Sequence, residues 1–119
     1  MMDHQLFYIA LALMLIHEMD AVRCREWRIF PGLTALKEPL AFRIFLFAHI
    51  PLLIALFWGL HYASDPSALM FWLDIFFFIH VILHLAFLKH KNNEFNDWIS
   101  WTFILGAGIF GSLDIILSQ

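Results

Sequence analysis

The sequence predicts an all-α fold: an integral membrane four-helix bundle with both termini on the non-cytoplasmic side. Three observations carry this. Of 119 residues, 62% are hydrophobic and only 14% charged, with 14 phenylalanines, whereas a soluble domain averages about 45–50% apolar and about 25% charged. Four apolar runs approach the roughly 20 helical residues needed to cross a hydrocarbon core of about 30 Å. All seven lysines and arginines fall in or beside two of the three connections. The length fits one four-span domain over residues 1–119,. A net charge of −3 argues against nucleic acid as a partner, and a single cysteine, Cys24, excludes an internal disulfide,.

The first span is expected over residues 5–22 and is polar at its end. Asp3 and His4 stand where a secretory signal would be basic, and no small-residue cleavage site precedes the charges, so the run reads as a retained span,. The next is expected over 40–62, opened by Pro39 and carrying Pro51 inside it,. A third, over 68–88, follows the turn-forming Ser64-Asp65-Pro66-Ser67, and the last covers 98–117, with Asn96 or Asp97 as its cap,. Backbone groups left unpaired in lipid are costly, so each span is helical. Gly106, Gly108 and Gly111 mark a packing face on the last helix,. Arg23, Arg25, Arg28, Lys37 and Arg43 surround the first connection, and Lys89 and Lys91 begin the third. The positive-inside rule places both connections in the cytoplasm. Arg25 to Phe30 reads as an interfacial half-helix, with Trp27 and Phe30 at the headgroups and Pro31-Gly32 turning the chain,. Cys24 reads as a small apolar residue, an acylation point, or a side chain facing the site,.

His17-Glu18-Met19-Asp20 closes the first span with three ionisable side chains. Groups of this kind need partners in a membrane, and His49, His80 and His84 in the other spans supply them. At about 1.5 Å of rise per residue, His17 lies roughly 7 Å and Asp20 roughly 3 Å from the cytoplasmic end, and His49, His80 and His84 roughly 13, 12 and 6 Å. The spans alternate in direction, so the agreement in depth is not a by-product of sequence position. His17 and Asp20 are i, i+3, and His80 and His84 are i, i+4, so each pair lies on one stripe. Glu18 points about 100° away from His17. Asp20 is therefore the expected partner of His17, with Glu18 reaching an adjacent ligand and Glu26 joining if the loop folds back. Asp74 and Asp114, roughly 21–24 Å from the cytoplasmic end, form an outer polar tier that pairs with His61, Tyr62 or water, or is protonated and internally hydrogen-bonded. No chemistry is assigned to His4, His61 or His90.

Imidazole and carboxylate together are the ligand set of iron, zinc or manganese, and helical bundles build such sites from facing helices. The leading expectation is thus a membrane-embedded metal-binding protein, with His17, Asp20, His49, His80 and His84 as ligands and Glu18 and Glu26 as additions. It would act as an enzyme on a lipid or other apolar substrate. Two other classes compete: a proton or ion conduit in which these histidines, with Asp74 and Asp114, form a relay, and a structural or helper protein whose polar residues lock helices together. The lipid bilayer is the expected partner, along with a second copy of the chain, in a bacterial inner membrane.

The run His17-Glu18-Met19-Asp20-Ala21, with Glu26-Trp27-Arg28-Ile29-Phe30-Pro31-Gly32 after it, resembles an uncharacterised family of small bacterial four-span membrane proteins. It is also similar, more loosely, to the HXXEE-type integral membrane proteins. In those a histidine near the end of an early span precedes acidic residues; here Asp20 matches one acid and Ala21 stands where the second would be. That second resemblance implies a membrane enzyme using His17 and Asp20.

Overall fold

The computed structural model describes residues 4–118. Four helices follow one another: α1 (Gln5–Arg23), α2 (Glu38–Tyr62), α3 (Pro66–Ala86) and α4 (Trp98–Leu117), with a 3₁₀ turn at Glu26–Arg28. No strand is present among the described residues. All four helices are long and apolar enough to cross a membrane. Against expectation, α2 and α3 each begin two residues early, and α3 ends at Ala86 rather than 88. The Asp65 side chain accepts from the Ser67 backbone N–H and hydroxyl, so Pro66 takes the first turn, where its missing N–H costs nothing,. Asp97, of the two candidates, caps α4 by accepting from Ser100 N–H at 2.9 Å. Asn96 instead exchanges hydrogen bonds with Asn93. Helix α2 runs unbroken through Pro51.

The helices do not share the core equally. Helix α4 is central, packed along both α1 and α3, while α2 leans on α3 and the 3₁₀ turn. The glycines explain the close fit of α4. A Cβ on Gly108 would stand 2.5 Å from Val81 Cγ2, one on Gly111 2.9 Å from Asp74 Oδ1, and one on Gly106 2.8 Å from Leu13 Cδ1. Two of these notches thus receive α3 and one receives α1. Lipid tails are as apolar as leucine, so such close approach is what holds helices together in a bilayer. Only Ala41 and Phe45 of α2 are buried, and its Phe47, Leu52 and Trp58 are exposed. An outward apolar surface of this extent suits hydrocarbon as solvent.

The connection after α1 is folded rather than extended. Arg25 adopts a left-handed conformation (φ 50°, ψ 53°), which reverses the chain into the 3₁₀ turn. Glu38, at the start of α2, accepts from Trp27 Nε1 at 3.0 Å and from Arg28 Nε at 3.0 Å. Trp27 is buried against Phe42 and Phe45. This turn is shorter than the expected half-helix, and these contacts hold it against the bundle.

Candidate metal centre

Three histidines meet at the end of the bundle that carries the α1–α2 and α3–α4 connections. His17 of α1 is fully buried, and His80 and His84 of α3 are nearly so. The i, i+4 spacing on α3 stacks His80 and His84 one turn apart, Nε2 to Nε2 at 3.1 Å,. The His17 ring stands edge-on to both, with centroids 4.6 and 5.0 Å away. One ligand nitrogen from each lies within 4.8 Å of the others. Zinc–imidazole bonds of about 2.0–2.1 Å place tetrahedral nitrogens about 3.3 Å apart. The α3 pair is already close to that spacing, and His17 offers a nitrogen within 4.8 Å of both.

The hydrogen-bond inventory fits a cation. Both ring nitrogens of His17 and Nδ1 of His80 are buried without a partner among the described residues, as is Glu26 Oε2. Buried polar groups are normally paired, and a cluster of orphans is what an ion or water would satisfy. Glu26 Oε2 is 3.5 Å from His17 Nε2. The reversal at Arg25 brings it there, so the loop does fold back. Phe95, buried on the α3–α4 connection, covers His84 and His17 with centroids at 4.6 and 5.4 Å. The centre is thus walled by aromatic rings and has low exposure to water.

The remaining expected ligands are engaged elsewhere. Asp20 does not partner His17. It accepts from Ser100 Oγ at 2.5 Å and Arg23 Nε at 2.6 Å, and Arg23 also donates to Asp97 at 3.1 Å. Three helical residues leave an offset of about 60°. That offset turns Asp20 toward α4, whereas His17 faces the α3 histidines. His49 lies outside the cluster as well. Its Nδ1 donates to Phe45 O at 2.6 Å, and Nε2 contacts Glu18 Oε2 at 2.7 Å, joining α2 to α1. Glu18 therefore reaches across to His49 on α2, away from the three clustered histidines. Cys24 packs beside Asp20 and Ser100 and does not face the histidines. Burial pushes its thiol up from the ordinary range,.

Asp74 and Asp114 lie at the opposite end, where the start of α1 meets the last turns of α4. Asp114 accepts from Phe7 N–H at 3.1 Å and contacts His4 Nδ1 at 2.9 Å, so it caps α1 from another helix. His61 and Tyr62, the expected partners, instead meet each other edge to face. Sequence reasoning missed Ser100, Phe95 and His4. Ser100 carries a readable signal as the third residue after the Asp97 cap; Phe95 and His4 act only through contacts with residues distant in sequence.

No curated protein matches the chain, and no solved structure does. One family does match, over residues 3–119, which is nearly the whole chain, and it is described as a family of unknown function. The chain therefore belongs to that family, DUF6713.

Proposed function

We propose that this protein is a membrane-embedded metal-binding protein whose ion sits among His17, His80 and His84, with the Glu26 carboxylate beside them. The observation that carries this is the convergence of three buried imidazoles from two helices within 4.8 Å, with orphaned nitrogens and an orphaned carboxylate oxygen at the same spot. Three neutral nitrogens and one carboxylate suit zinc, iron or manganese. Such an ion would supply Lewis-acid or redox chemistry in a site shielded from water. His80 and His84 set the ligand spacing from one rigid helix, His17 closes the triangle, and Glu26 offers a fourth donor or a proton acceptor. The enzymatic reading is a reaction on a lipid or other apolar substrate entering sideways between helices, past the exposed Phe76. The resemblance to HXXEE-type proteins supports that direction through His17.

With positive-inside orientation, the centre lies in the cytoplasmic half of a bacterial inner membrane. The bilayer is the partner, and the sparsely buried α2 is the face on which a second copy would pack. A layer of apolar side chains including stacked Phe7 and Phe77 lies between the histidines and Asp74, which supports a self-contained site over a continuous relay. The test is metal analysis of the detergent-purified protein beside a His80→Ala/His84→Ala variant. Near-stoichiometric metal in the wild type, lost in a variant that keeps its helical spectrum, is the expected result. A wild-type protein that stays metal-free after incubation with zinc, iron and manganese would overturn the reading.

A further inference from the structure

The opposite end of the bundle carries a second polar site that owes nothing to the histidines. Asp74, on α3, is fully buried, and neither carboxyl oxygen has a hydrogen-bond partner among the described residues. Its Oδ1 rests in the notch of Gly111 on α4, where a Cβ would come within 2.9 Å. Asp114 lies one turn further along the same face of α4 and is itself nearly buried,. Asp74 and Asp114 both belong to the wall of one cleft of about 290 Å³, which His4, Ser67 and Ser118 also line, with the Asp74 oxygens behind its surface.

Charge compensation at Asp74 is a physical requirement. An ionised carboxylate in an apolar interior costs far more than an ordinary unpaired dipole and neutralises instead. Among the described residues, the charged and titratable groups facing it are few. Asp114 from α4 is an acid, His4 before α1 is spent on Asp114, and Asp65 at the α3 cap faces His4. Among the described residues no cationic side chain pairs with the Asp74 carboxyl; His4 acts on it only from beyond hydrogen-bond distance. Its oxygens are also closed to a water-sized sphere, so a hydrated metal ion does not reach them. A proton does.

We propose that Asp74 and Asp114 form a proton-binding site in which Asp74 holds an exchangeable proton at neutral pH and donates it toward the Asp114 carboxylate. The proton comes from water in the open cleft. It passes to Asp114, whose slight exposure and contact with His4 make it the entry group, and then inward to Asp74. The Phe7–Phe77 stack ends the path, so the site stores a proton at this pole and does not pass it to His80.

The experiment is infrared spectroscopy of the full chain in lipid nanodiscs at neutral pH, in water and in deuterium oxide. The expected spectrum has a deuterium-sensitive carboxylic-acid carbonyl band that is lost in Asp74→Asn and shifted, but kept, in Asp114→Asn. Carbon-13 aspartate in the wild type assigns the band to an aspartic acid even if a variant fails to fold. An aspartate spectrum with carboxylate bands alone would overturn the proposal. So would thermal stability that rises with sodium over choline in the wild type and not in Asp74→Asn, because a metal cation would then hold the charge.

Discussion

The two ends of α3 carry two buried polar sites built on one stripe, and they are managed in opposite ways. Asp74, Phe77, His80 and His84 all face inward from the same helix. At the histidine end, the neighbouring backbone folds over the site. The 3₁₀ turn brings in Glu26, Phe95 covers the rings, and the unpaired groups are mostly imidazole nitrogens. At the acid end, the neighbours are helix termini. Asp114 is committed to the start of α1, the cleft stays open, and the unpaired group is a carboxyl that no cationic side chain meets. One helix face thus carries a covered histidine cluster at one end and an unpaired buried acid at the other, depending on what the rest of the chain lays against it.

The largest expected effect separates the two ends. In His80→Ala/His84→Ala, bound metal falls from about one per chain to near none, while the Asp74 acid band is unchanged; elemental analysis and infrared spectra on one preparation read both. A change at both ends would show that the sites are coupled. Next comes Glu26→Gln, expected to weaken metal affinity by about 10–100-fold, as loss of a carboxylate beside a ligating histidine does. Competition with a metal-sensitive dye measures this, and unchanged affinity would remove Glu26 from the centre.

Packing variants test the layer between the ends. Gly108→Ala drives a methyl against Val81, whose χ1 is restricted in a helix,, and is expected to cost about 1–3 kcal/mol of stability. Gly106→Ala meets only the flexible tip of Leu13 and falls below that range, so unfolding curves of the pair rank the α3 contact above the α1 contact. Ser100→Ala removes the hydroxyl from Asp20 and is expected to cost about 1–2 kcal/mol, with metal content unchanged.

The smallest effect is in acid. The Ser100 backbone N–H, with help from Arg23, holds the Asp97 carboxyl below its ordinary value. Its contribution is present above the unfolded value of about 3.9 and is lost as pH falls through the lower folded value. Melting temperature measured from about pH 6 down to about pH 3 is expected to fall less steeply in Asp97→Asn than in the wild type.

The spans were legible because length and apolarity in lipid leave the backbone no alternative to helix, and Pro39, Asp65-Pro66 and Asp97 marked three of their starts. His80 and His84 were legible as a pair because i, i+4 neighbours meet on any helix. His17 joined them through depth alone, since rise per residue converts position into height. Direction around a helix is a different quantity. Asp20 and His17 share a stripe to within about 60°, yet one faces Ser100 and the other faces α3. Periodicity carries no information about which neighbour lies on which side, so Asp20 and His49 were grouped with the histidines. Glu26 needed a left-handed residue at Arg25, a position no glycine announces.

By itself, then, the sequence determined the number of helices, their approximate ends, the height of each polar group and the pairing of His80 with His84. These follow from local geometry and from the solvent the composition demands. Tertiary structure decided which polar groups met: His17 with the α3 pair, His49 with Glu18, Asp20 with Ser100, and His4 with Asp114. Those pairings depend on the order and rotation of helices about one another. The Gly108 and Gly111 notches help to set that order by fixing where α3 can approach α4.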